Sequence, residues 1–326
     1  MERIELHIET TSTTMSSISF PESYNDLPFT QIQTRHHPPE PSIIILTLHR
    51  PNNHNAFTPT MRDEIVKAYT LFDADPRVKC IVVTGHGRIF CAGADLDDGF
   101  GKGVNGGPDA EKVQEHRDGG GIAALAIHHC RKPSIAALQG PAVGIGITLT
   151  LPMNIRIAHS TAKIGFVFAR RGLVMEACSS YFLPRLIGYS RAMQAVTTGA
   201  TYPASDRVWD GLFAETCERS EDVVPAALKV AVDVVRNTSA VSTYLMKELM
   251  FRDRGSAEGQ HLLDSRVIYE LFGSADNTEG VQSFMEKRQA VFTGTMETTN
   301  VTGYPWWMPL DTSGRPKGAT VGRAKI

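Results

Sequence analysis

The segment Arg88-Ile-Phe-Cys-Ala-Gly-Ala-Asp-Leu-Asp-Asp-Gly-Phe100 turns a buried strand into a glycine-flanked bend with exposed backbone amides, and its reading decides the fold. A second bend, Gln139-Gly-Pro-Ala-Val-Gly-Ile-Gly-Ile147, follows another apolar strand and opens a helix. Its amides lack intrahelical partners and can face an anion. Two such bends suit one developing negative oxygen, so each reads as half of an oxyanion hole. Either bend alone reads equally as a glycine-assisted turn.

Working outward, Ser42-Ile-Ile-Ile-Leu-Thr-Leu48, Cys80-Ile-Val-Val-Thr84 and Ser134-Ile-Ala-Ala-Leu138 are short, β-branched apolar runs of the kind that form buried strands. Between the first two, Thr58 can cap a helix, Pro59 can take its first position, and Met61, Ile65, Ala68 and Phe72 share one face. Strand and helix alternate to about Ala158, which predicts an α/β core, and Glu221 to Val291 is helical in pattern. The expected organisation is a partly ordered extension over 1–40, a core over 41–220, a helical region over 221–295 and a tail over 296–326.

The 326 residues are 42% hydrophobic and 21% charged, enough to bury a full core. A net charge of -2 gives no general reason to bind nucleic acid or anionic membrane, and no apolar run approaches the roughly 20 residues that span a bilayer. Five scattered cysteines without ligand spacing point to a reducing compartment and no metal. Asp95, Asp97 and Asp98 lack the spacing of a calcium loop; the glycine-rich stretch after them suits a mobile lid. The terminal Ala324-Lys325-Ile326 varies conservatively on a peroxisomal address, which implies an import receptor; the other reading is a basic tail in a cytoplasmic protein.

The two bends, with Leu48-His-Arg-Pro-Asn-Asn-His-Asn-Ala-Phe57 before them and Glu279 to Arg288 after them, resemble the crotonase (enoyl-CoA hydratase/isomerase) superfamily. The resemblance implies an α/β fold made of a spiral of ββα turns with a C-terminal helical region, a homotrimer or hexamer, and a substrate that is an acyl-CoA thioester. Coenzyme A enters as part of that substrate, with no separate cofactor. The implied oxyanion donors are the amides of Ala94 and Ile145. His54, Ala56 and Ala92 would lie at the adenine; Leu96, Gly144, Phe166 and Phe168 would complete the substrate pocket, the two aromatics as an apolar wall against water, together with Asp95, which also fixes the first bend through hydrogen bonds. Lys287 would meet a CoA phosphate, or else belong to a solvated helix face.

The family's two hydratase carboxylates are replaced here by Thr148 and Phe168. Met175-Glu-Ala-Cys-Ser-Ser180 instead resembles the catalytic segment of peroxisomal-type Δ3,Δ2-enoyl-CoA isomerases, which makes Glu176 the candidate base. Its bland role would be to cap the helix that follows. One carboxylate above an oxyanion hole suffices to move a proton from C2 to C4, whereas adding water asks for two groups. Isomerisation therefore leads, with possible hydratase activity. A hydratase or secondary-metabolism enzyme of the same fold, and a non-catalytic acyl-CoA-binding protein, are the alternatives.

Overall fold

The computed structural model describes residues 19–25, 27–96, 112–299 and 301–307. The glycine-rich stretch with Asp97 and Asp98, and the terminal Ala324–Ile326, lie outside the described residues.

Strand β1 (Ile32–His37) pairs antiparallel with β2 (Glu40–Leu48). Helix α1 (Pro59–Ala74) follows, with Pro59 at its start and Thr58 Oγ1 accepting from the Met61 amide at 3.1 Å. Met61, Ile65, Ala68, Tyr69 and Phe72 are buried, so the expected face is the one that packs. The chain then runs through β3 (Cys80–Gly85), α2 (Gly119–His129) and β4 (Ser134–Leu138). Next come β5 (Ala142–Val143), α3 (Ile145–Thr148), β6 (Ile155–His159) and β7 (Lys163–Gly165). Helices α4 (Ser179–Ile187) and α5 (Tyr189–Thr198) precede β8 (Thr201–Pro203) and β9 (Glu215–Cys217). Four helices close the described chain: α6 (Ser220–Asn237), α7 (Ala240–Phe251), α8 (Ala257–Leu271) and α9 (Ala275–Glu286).

The main sheet has the order β1-β2-β3-β4-β6-β9 and is parallel from β2 onward; β5, β7 and β8 form a second, smaller sheet. Alternation along the strands divides the core in two. Ile44, Leu46, Ile81, Val83, Ala136 and Leu138 face α1, α2 and the site, whereas Ile43, Cys80, Val82, Ile135 and Ala137 face α6.

Two expected boundaries move. β1 lies inside the segment read as a partly ordered extension, and Tyr24 is buried beside it, its hydroxyl donating to Asp75 Oδ2 at 2.9 Å and its ring edge-on to Phe72. The polar composition of that segment conceals strand alternation that only the neighbouring β2 makes useful. Helix α6, grouped by its pattern with the C-terminal region, instead covers the second sheet face with Val223, Ala227 and Ala231, spaced one helical turn apart. Helix α7 reaches the core differently. Its buried Lys247 donates to the carbonyls of His128 (2.5 Å) and Cys130 (2.8 Å), which fastens the C-terminal end of α2.

Candidate active site

The two bends are neighbours in space. Cys91 and Ala142 form a parallel bridge, the Val143 amide donates to the Cys91 carbonyl at 3.2 Å, and the Cys91 amide donates to the Pro141 carbonyl at 3.2 Å. Gly93 (φ +104°) and Gly144 (φ +55°) both adopt backbone that side-chain-bearing residues rarely take, and a Cβ on Gly144 would lie 3.9 Å from the Gly93 Cα. The chain therefore turns twice at one spot.

These turns aim the predicted donors. Phe57 takes the Gly93 carbonyl (2.8 Å) and gives its own carbonyl to the Asp95 amide (2.9 Å), so the Ala94 amide points away from Phe57, from the opposite edge. Ile145 is the first residue of α3, where an amide has no partner within the helix. Neither amide has an acceptor among the described residues.

Glu176 is placed by an unusual turn. Ala177 and Cys178 are both left-handed (φ 56° and 55°), a conformation that is costly for such residues and that collects at functional sites. The turn drops the Glu176 side chain onto the glycines at the start of α2: a Cβ on Gly120 would sit 1.6 Å from Glu176 Oε2 and 2.7 Å from Ile145 Cδ1. The carboxyl group thus lies beside the side chain of Ile145, the residue whose amide is the second predicted donor. Thr148 Oγ1 donates to Glu176 Oε1 at 2.7 Å. Burial foremost, and then the charge and hydrogen-bonding contact of Asp118, push the Glu176 pKa up to about 8, against the opposing hydrogen bond from Thr148. The side chain does not cap α4, which has no side-chain cap; the Glu176 carbonyl receives the Ser179 amide at 3.0 Å.

The remaining candidates divide. His54, Ala56 and Ala92 come together, with the Ala92 amide donating to the His54 carbonyl at 3.1 Å and Ala56 buried beneath. Leu96 is 64% exposed at the last described residue of the first bend. Asp95, expected to fix the first bend as well as to line the pocket, is paired with Arg50 at 2.6 Å, and the same guanidinium nitrogen donates to the Ala56 carbonyl at 2.7 Å. Its role is to lock the first bend against the His54 turn. Phe166 was expected to wall off the base but lies in the core against Trp209, because β7 turns it inward; Ile145 and the α2 glycines form the wall instead. Phe168 packs, half-buried, on the edge of the core. Lys287 is the exposed left-handed cap of α9, and no described contact brings it to the bends.

Three contributors escape sequence reasoning. Thr148 stands where a carboxylate was missed, yet it holds the carboxylate that replaces it. Asn55 is buried and left-handed; its amide donates to the His86 (2.9 Å) and Ile89 (2.8 Å) carbonyls, and its Oδ1 receives the Arg50 amide (2.9 Å). Asp118 caps α2, accepting from the amides of Gly121 (2.5 Å) and Ala177 (3.1 Å), and so ties that helix to the turn bearing Glu176. Asp118-Gly-Gly-Gly121 ahead of an apolar run is a visible capping signal, but which turn it would also hold is not local information.

The family model described as enoyl-CoA hydratase/isomerase matches residues 39–295, most of the chain and all of the site just described. The chain belongs to the enoyl-CoA hydratase/isomerase family. It is 49% identical over 267 residues to the enoyl-CoA hydratase AFT3-1 of Alternaria alternata, covering 82% of this chain and 88% of that protein. A probable enoyl-CoA hydratase of Rhodobacter capsulatus is 34% identical over 254 residues, covering 77% and 95% of the two chains. Among solved structures, a probable enoyl-CoA hydratase/isomerase from Mycobacterium abscessus superposes with a TM-score of 0.73 at 29% identity, over 82% of this chain and 100% of that one. Membership of the enoyl-CoA hydratase/isomerase family thus accords with the paired bends and with the crotonase fold.

Proposed function

We propose that this enzyme moves a proton at C2 of an enoyl-CoA thioester, with Glu176 as the group that carries it and the Ala94 and Ile145 amides as the donors that hold the enolate oxygen. The observation that carries this reading is the half-buried Glu176 carboxyl beside Ile145 on one side and Thr148 on the other. In the apolar surroundings the two amides are worth roughly 3 to 4 kcal/mol each to a developing oxyanion. The His54–Ala56 turn and Ala92 form the cradle for the adenine, and the thioester enters with its own coenzyme A.

Glu176 is in no ion pair among the described residues, so the non-catalytic alternative lacks the feature that would favour it. A double-bond shift requires this carboxyl group alone, first as base and then as acid. Hydration is the second reading, favoured by the carboxylate of Asp118 against Glu176 and by the names of the relatives. Incubating the enzyme with butyryl-CoA in deuterium oxide tests the shared step. Deuterium is expected at C2, and its absence would reject Glu176 as a proton carrier. Parallel assays with a 3-enoyl-CoA and a 2-enoyl-CoA then rank the two outcomes.

We also propose self-association as a trimer or hexamer. Helices α8 and α9 leave Leu262, Tyr269, Phe272, Phe284 and Met285 more than 60% exposed, an apolar surface that a closed symmetric assembly would cover. Light scattering at micromolar concentration is expected to give at least three times the 35.7 kDa chain mass. A monomer would reject the assembly.

A further inference from the structure

The Glu176 and Asp118 carboxyl groups lie against adjacent glycines, Gly120 and Gly121, in the first turn of α2. A Cβ on Gly120 would meet Glu176 Oε2, and a Cβ on Gly121 would lie 2.5 Å from Asp118 Oδ2. The Asp118 Oδ1 atom is engaged by the Gly121 and Ala177 amides, which fixes the carboxylate beside the residue that follows Glu176. The two acids nevertheless occupy different surroundings, since Glu176 is half-buried while Asp118 is exposed. Enclosure holds the Glu176 proton well above the ordinary carboxylate range.

We infer that Asp118 is the second carboxyl group of the reaction, positioned at the solvent side of Glu176 to orient and deprotonate the water that adds to an enoyl-CoA. This rests on the enoyl-CoA reading above and deepens it toward hydration. The water proton passes to the Asp118 carboxylate as its oxygen bonds to C3. The C2–C3 π electrons move into the thioester enolate held by Ala94 and Ile145. The Glu176 carboxyl proton then passes to C2, the thioester carbonyl re-forms, and a proton returns from Asp118 to Glu176 through solvent. The sum is one water added, with both acids restored. The two hydratase carboxylates that Thr148 and Phe168 replace in sequence would thus be supplied from a different helix, α2, and from the turn before α4.

The groups that face Glu176 are Thr148 from α3, Asp118 from α2, and the thiols of Cys178 on its own turn and Cys91 on the first bend. Removing the Asp118 charge therefore lets Glu176 ionise at lower pH. This makes the test directional. In Asp118→Asn, which keeps a capping oxygen, hydration of crotonyl-CoA is expected to fall about 10²- to 10⁴-fold, while deuterium exchange into butyryl-CoA at pH 7 persists or rises. The pH limb of that exchange is expected to move to lower pH. Asp118→Ser, which also retains a cap, is expected to show the same split. Unchanged hydration in both variants, or equal loss of hydration and exchange with the thermal midpoint preserved, would overturn the assignment. Wild-type exchange without hydration would overturn it while leaving the enoyl-CoA reading standing; the absence of both activities would remove that reading first.

Discussion

Replacing Glu176 with glutamine is expected to lower kcat about 10²- to 10⁴-fold while CoA-thioester binding stays nearly intact. The amide retains the size of the side chain and can still accept from Thr148 Oγ1, but it cannot carry the C2 proton. The same variant reports on the buried acid through stability. In the folded protein the carboxyl keeps its proton to about pH 8, against an ordinary value of 4.5. Between these limits the folded state binds more protons than the unfolded chain, so stability falls as pH rises through the window and levels off above it. At 1.36 kcal/mol per pH unit the whole shift is on the order of 5 kcal/mol, shared with Asp118. Glu176→Gln is therefore expected to melt near the parent at pH 5 and above it at pH 9. Equal midpoints at both pH values, with full activity, would place the proton carrier elsewhere. The pH profile of the parent separates the reactions. Hydration, which spends the protonated form, falls above about pH 8, whereas a double-bond shift, which starts from the ionised form, rises toward it.

Gly146→Ala is the second change with a large expected effect, because it acts on the proposed oxyanion hole itself. A Cβ at this position would lie 2.4 Å from the Cys91 carbonyl oxygen and 2.9 Å from the Cys91 Cβ, and a backbone carbonyl cannot swing aside as a side chain can. The two bends must separate, carrying the Ile145 amide away from the point that the Ala94 amide faces. Loss of one oxyanion donor costs about 10²- to 10³-fold in kcat, and overpacking of this kind costs roughly 1 to 3 kcal/mol of stability. Kinetics and thermal unfolding together check it. Parent-like kcat in a folded Gly146→Ala protein would mean that the bends do not act as one site.

The fold was legible wherever a local rule decided the conformation. The strand at Ser134–Leu138 and the α1 cap at Thr58 follow from apolar periodicity and capping chemistry, and both lie where the residues place them. The two glycine bends were equally visible, since only residues free to take left-handed backbone can turn a buried strand so sharply. Glu176 stood out by resemblance, in a motif that the fold then set beside Ile145.

What the chain alone did not reveal depends on segments meeting after they fold. Asp95 reads as a residue that fixes the bend, but its partner, Arg50, is 45 positions earlier. Phe166 reads as a wall until the small sheet turns it toward Trp209. Thr148 reads as a missing acid until its hydroxyl, 28 residues before Glu176, is found on that carboxyl group. Asp118 reads as a cap and is one, but its other partner, Ala177, is 59 positions away. The sequence by itself determined the apolar core strands β2, β3 and β4, helix α1 and the amide-bearing bends, because each follows from the backbone preferences of adjacent residues. Only the tertiary structure raised the Glu176 pKa far above the ordinary carboxylate range and brought Asp118 to bear on it, because burial and long-range contact set a carboxyl group's charge and no local pattern encodes either.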